Sequence, residues 1–238
     1  MSTVVSLIVI VTISSFIQGL TGFGLGIFLM CFLPMVLGYQ SSVVICLACG
    51  VILGIIMLFK FRHYIELKKI LPFLIVGLVV QFFGTNFLFT LSDGVLKVIL
   101  GVVMLLFAVL FFLAERNLHI KATPGNTVLS GCVAGFCGSL GVGGPPVGYF
   151  CHSLFQDNLS YMANIQVCLI VGSGCLLIQH FLTGGINTAI VYDCAIASIV
   201  CIGVLFPTMK LFSKLNRSGL TKLISSFLLV MGVVNIVI

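Results

Sequence analysis

Charge is nearly absent from this sequence. Only 7% of its 238 residues are Asp, Glu, Lys or Arg, against 61% hydrophobic residues, and so few polar groups cannot cover an apolar core in water. That excludes a water-soluble globule and places the chain in a bilayer. Acid is scarcer than base, 5 residues against 11. Tryptophan is missing altogether, so an interfacial aromatic belt has to be built from Tyr and Phe. The longest polar stretches, "KFRHYIELKK" and "ERNLHIKATPGN", are too short to fold alone. There is no Gly-Lys-Ser/Thr after a glycine run, no Ser/His/Asp set and no nucleotide fingerprint, which speaks against an enzyme, a cofactor or a nucleic-acid partner.

What is present is a series of apolar runs, each near the roughly 20 residues that a transmembrane helix needs. Six read as clean spans, at roughly 40–59, 70–91, 94–114, 159–182, 187–209 and 220–238. Two others, about 3–38 and 126–155, are interrupted by glycines near their middles. The N-terminal run has neither a basic leading region nor a small-residue cleavage pattern, and is expected to remain as structure. Most of the ten cysteines lie inside apolar runs, where Cys behaves as a small hydrophobe; the spacing of Cys46 and Cys49 is read as packing, since no thioredoxin-like pattern surrounds it.

The basic residues fall into clusters: Lys60, Arg62, Lys68 and Lys69; Arg116 and Lys121; Lys210, Lys214, Arg217 and Lys222. Putting these in the cytoplasm requires the segment 126–155 to enter and leave on one face, and leaves only Lys97 outside. The rival is eight full crossings with a weak charge bias. The order of parts, a broken segment followed by three helices, occurs twice at an offset of about 117 residues. Gly19, Gly22, Gly24 and Gly26 align with Gly135, Gly138, Gly141 and Gly143 once one residue is inserted. The expected fold is therefore an all-α integral membrane protein, one transmembrane domain over 1–238. Its two inverted repeats cover about 1–118 and 119–238, each a broken or re-entrant segment followed by three transmembrane helices.

Glycine permits positive φ and close backbone approach, while Pro145 and Pro146 withhold N–H donors and suit the first turn of a new helix. Each block reads as helix, unwound turn, helix. Irregular backbone at membrane depth survives only where protein or water satisfies it, and a half-helix N-terminus carries about half a positive charge. Two such ends near the midplane would hold an anion without a buried cation, helped by neutral donors such as Thr21, Cys137, Ser139, Asn164 and Gln18. The competing reading is that the glycines only let helices pack closely, which is accepted for Gly77, Gly84, Gly101 and Gly232.

The two blocks, "GLTGFGLGIFLMCFLP" and "SGCVAGFCGSLGVGGPP", resemble those of the TauE/SafE sulfite exporter family, and the resemblance spans essentially the whole chain. It implies a transporter of a small sulfur-containing or organic anion, such as sulfite, thiosulfate, a sulfonate or sulfoacetate. The blocks would form the translocation site: Gly19, Thr21, Gly22, Phe23, Gly24 and Gly26 in the first half, and Gly135, Cys137, Gly138, Ser139, Gly141, Gly143, Gly144, Pro145 and Pro146 in the second, with Asn164. The first block departs from the family's triple glycine at Leu25, and the second has Gly-Gly-Pro-Pro, which leaves the substrate open. An anion channel is the alternative, and a membrane-embedded thiol protein a more distant one.

Among the acids, Asp193 lies inside a span and is the candidate for proton coupling, set against an interfacial role. Asp157 precedes "NLS" and is read as a helix cap; Asp93 is read as an external turn. His152 and His180 have no partners at ligand spacing, so no metal is expected. The partners implied are the anion and the lipid bilayer, with homodimerisation open. The location implied is a plasma (inner) membrane, multi-pass, with basic loops cytoplasmic.

Overall fold

The computed structural model describes residues 3–88, 90–114, 123–211, 229 and 233, and within that range the side chains of Thr21, 110–114 and 209–211 are not described. The expected last span, 220–238, and the basic residues Arg116, Lys121, Lys214, Arg217 and Lys222 lie outside it. The described residues are helical, with no strand among them. The first half runs α1 (Thr3–Thr21), α2 (Leu25–Phe32), α3 (Pro34–Leu37), α4 (Tyr39–Phe61), a 3-10 turn (Arg62–Tyr64), α5 (Leu67–Leu88) and α6 (Asp93–Ala114). The second half runs α7 (Pro124–Ser139), α8 (Gly144–Leu154), α9 (Asn158–Leu182) and α10 (Thr188–Leu211).

Length separates two kinds of helix. α1, α4, α5, α9 and α10 are long and apolar enough to cross a membrane, and α6, with 22 residues, matches them in length. α7, with 16 residues, and α8, with 11, are about 24 Å and 16 Å long at 1.5 Å per residue, each short of a hydrocarbon core of about 30 Å. α2 is shorter still, at 8 residues. Both apolar segments are thus broken where glycine interrupts them, but unequally. α1 alone has the length of a crossing, whereas α7 is a shorter helix.

Capping follows the sequence. The Thr123 side chain accepts the N–H of Asn126 (3.3 Å) at the start of α7, beside Pro124 in the first turn. Asp157 accepts the N–H of Ser160 (2.9 Å) and caps α9, the role expected of it. Asp93 opens α6, and its carboxylate lies 3.5 Å from the Tyr39 N–H.

The distribution of side chains is that of a membrane protein. Large apolar residues are outermost on α5, α6 and α10: Phe83 is 68% exposed, Leu106 59% and Ile199 72%. Polar groups are turned inward, and Gln18, Gln81, Ser139, Asn164 and Gln166 are all buried. Water would reverse this arrangement; lipid favours it.

Several helix contacts recur when the halves are exchanged. α5 packs on α7 as α10 packs on α1; α4 meets α10 as α9 meets α5; α4 and α9 pack on each other, and so do α2 and α8. α4 and α9 run antiparallel, because Gly50 faces Ser173 while Gly54 faces Ile170. The contact between α5 and α7 is a glycine seam. A Cβ on Gly131 would lie 2.9 Å from Phe73 O, and one on Gly135 would collide with Gly77 O.

Candidate functional site

Each break has the same construction. Gly22 (φ 84) and Gly141 (φ 80) take the left-handed conformation that a side chain disfavours. Two residues later Gly24 and Gly143 serve as N-caps, of α2 and α8. The spacing between Gly22 and Gly141 recurs between Gly24 and Gly143, and between the first residues of α4 and α9, Tyr39 and Asn158. This corrects the sequence alignment, which set Gly22 against Gly138: the structural partner of Gly22 is Gly141, and that of Gly19 is Gly138. Gly19 and Gly138 both face the neighbouring half. A Cβ on Gly19 would lie 2.8 Å from Thr208 of α10, and one on Gly138 3.0 Å from Gln81 of α5. Gly135 likewise sits in the α5 seam.

The backbone groups freed by each break are tied down from two sides. At the first, the Gly22 N–H donates to Gln18 O (2.8 Å), the Gln18 Nε2 donates to Gly22 O (3.0 Å), and Gln18 Oε1 accepts the Leu25 N–H (3.0 Å). Gln18 therefore bridges the end of α1 and the start of α2. At the second, the Gly141 N–H donates to Gly138 O (2.9 Å) and the Val142 N–H to Cys137 O (3.0 Å). Three carbonyls at the breaks take donors from the long central helix of the opposite half. Gln166 Nε2, from α9, donates to Gly22 O (2.9 Å); Tyr39 Oη and Cys46 Sγ, from α4, donate to Leu140 O (3.1 Å) and Gly141 O (3.7 Å).

The two breaks touch. A Cβ on Gly26 would lie 2.5 Å from Gly141 O, and one on Gly144 2.5 Å from Phe23 O. No side chain can occupy either position without moving backbone. The Phe23 ring covers Gly148 of α8, whose Cβ would lie 3.0 Å from it, and Pro145 and Pro146 are buried in the first turn of α8. Among the described residues no Lys or Arg is buried.

Beside the second break, a small cleft of about 20 Å³ is lined by Tyr39, Thr85, Ser139 and His180 among others, room for a water-sized occupant. Ser139 donates to Phe136 O (2.6 Å). Cys137 is buried within the last turns of α7.

Two expected residues lie apart from the junction. The Asn164 amide is committed to the turn between α4 and α5: its Nδ2 donates to Tyr64 O (3.1 Å) and Ser160 O (2.8 Å), and its Oδ1 accepts the Glu66 N–H (2.9 Å). Asp193 is half-buried in the second turn of α10. It is the opposite stretch of that helix, Leu205 and Thr208, that meets Gly19. Conversely, Gln166, Tyr39 and Cys46 contact the breaks, although no motif in their local sequence places them in the site. The available signal was a glutamine inside an apolar run, a costly residue at that depth.

The sequence profile of the family described as "Sulfite exporter TauE/SafE" matches residues 7–234. The chain belongs to this family. Neither the curated proteins nor the solved structures contain a match to it. Family membership, together with the apolar helices, makes the protein an integral membrane permease of the sulfite-exporter type.

Proposed function

We propose that the protein is a secondary transporter that moves a small sulfur-containing or organic anion, of the sulfite, thiosulfate, sulfonate or sulfoacetate type, by alternating access. The observation that carries this reading is the meeting of the two breaks, Gly22–Gly26 against Gly141–Gly144, with Gly22, Phe23, Gly24, Leu25 and Val142 buried and Gly26, Gly141, Gly143 and Gly144 partly exposed, and with no buried Lys or Arg among the described residues. The first turns of α2 and α8 supply the favourable end of each helix dipole for a negative solute, and Ser139 and Cys137 add neutral polar groups nearby. The antiparallel run of α4 and α9, with the exchangeable packing of the halves, supports an inverted repeat. The bonds from Gln166 to Gly22 and from Tyr39 to Leu140 cross between the halves, and are the ones that a rocking motion would exchange. Asp193 is assigned to proton coupling, at a distance from the anion.

Flux in proteoliposomes against sulfite, thiosulfate, sulfoacetate, sulfate and chloride tests this. Saturable uptake of one or more sulfur anions, accelerated by unlabelled anion on the far side, is expected. Uptake no faster than in empty liposomes would refute it. A current reversing at the anion's Nernst potential without such acceleration would make the protein a channel. Asp193→Asn should abolish the response to a proton gradient while exchange persists.

A further inference from the structure

Two glutamine amides point their Nε2 groups at one acceptor, Gly22 O, Gln18 from 3.0 Å and Gln166 from 2.9 Å. Gln18 is completed by the Leu25 N–H. Gln166 is not: the residue is 0% exposed, and among the described residues its Oε1 has no donor within hydrogen-bonding range. Its surroundings offer none. Met162 and Ile170 flank it along α9, and the position opposite is Gly54 of α4, where a Cβ would lie 3.6 Å from Oε1. Turning the amide over does not help, since Oε1 would then face Gly22 O, acceptor against acceptor. A buried carbonyl oxygen without a donor is unfavourable. The same amide holds the first break, so the missing donor belongs to whatever occupies the junction.

The chemistry of that occupant is narrow. A hard cation would need several oxygens, and here one is open, Gly22 O being engaged twice. An oxyanion that only accepts would be repelled by Oε1. An anion that also carries an O–H satisfies both ends, its charged oxygens toward the first turns of α2 and α8 and its hydroxyl toward Oε1. We infer that the transported solute is a monoanion bearing an O–H donor, either a hydrogen-oxyanion or a hydroxy-substituted sulfonate or carboxylate, and that Gln166 is the specificity-determining residue that accepts that hydrogen bond. This rests on the transporter reading above.

The test compares 2-hydroxyethanesulfonate with 1-propanesulfonate, which differ by O–H against CH₃ and whose charge does not change across the working pH range. In proteoliposomes holding the wild-type protein, the hydroxy compound should be preferred by about tenfold, the value of one retained hydrogen bond. Gln166→Met keeps length but removes both the Oε1 acceptor and the Nε2 donor to Gly22 O, so flux of both compounds should fall; the readout is their ratio, and the preference for the hydroxy compound should fall to near unity. A wild-type preference near unity, as expected if Oε1 only holds a water, overturns the inference even if the variant fails to fold, and so does a preference that survives Gln166→Met. Flux of all anions without hydroxyl preference removes this inference alone. No flux of any anion removes the transporter reading and this one with it.

Discussion

At the scale of single residues, the glycines of the two blocks divide by what a methyl group would meet. Gly26 and Gly144 face backbone carbonyls of the other break, whereas Gly174, within α9, has nothing within 4 Å of its would-be Cβ. Gly144→Ala should therefore cost about 1–3 kcal/mol through overpacking that backbone cannot relieve, seen as a lower melting temperature in detergent and loss of anion flux. Gly174→Ala should leave stability unchanged or raise it by about 0.5–1 kcal/mol, because alanine loses less chain entropy in a helix. Gln18 is the other decisive residue. Gln18→Leu leaves the Leu25 N–H without its acceptor, and should destabilise the protein by about 1–3 kcal/mol, measured by the same thermal assay.

At the scale of elements, half of the second glycine block turns out to be a packing surface. Gly131, Gly135 and Gly138 lie along α5, while the break begins only at Gly141. Gly135→Val would drive a side chain into the Gly77 carbonyl and should prevent α5 from docking on α7, so that no monodisperse protein is recovered. Gly125→Ala, in open space at the start of α7, should be recovered normally. The antiparallel contact of α4 with α9 makes its own prediction. A Cβ on Gly50 would lie 3.6 Å from the Ser173 hydroxyl, so Gly50→Cys combined with Ser173→Cys should give a disulfide between α4 and α9 on oxidation, found by peptide mass mapping. A parallel α4 and α9 would not give it.

At the scale of the whole molecule, the described contacts fix which loops share a face. Tyr64 and Glu66 bond to Asn164, near the start of α9, so the α4–α5 and α8–α9 connections lie at one end of the protein. Tyr39, Asp93 and His180 mark the other end. Single cysteines at Lys68 and Asn158 should then react with an impermeant reagent from one side of the membrane, and cysteines at Asp93 and Gly184 from the other. With Lys60, Arg62, Lys68 and Lys69 on the first side, the positive-inside rule predicts that it labels from the cytoplasm. Labelling of Lys68→Cys and Asn158→Cys from opposite sides would end the inverted arrangement.

Composition by itself determined that this chain lives in lipid, because 7% charge cannot solvate 61% hydrophobic residues. Local sequence also marked the two segments in which the helices are interrupted, through their dense glycines, and the Pro145–Pro146 pair as the first turn of a new helix, since proline fixes its own φ without neighbours. The caps at Thr123 and Asp157 are legible for the same reason, their bonds reaching only three residues along. Tertiary structure alone decided which glycine matches which. Gly138 and Gly141 are identical in sequence, and only the proximity of Gln81 to one and the left-handed turn of the other separate packing from break. It also decided the fate of the polar residues. Asn164 and Gln166 are two positions apart on one helix, yet one amide closes a turn with all its bonds made and the other reaches the break with an oxygen left open. A helix sends such neighbours in different directions, and what each then meets depends on chain folded from the other half of the molecule.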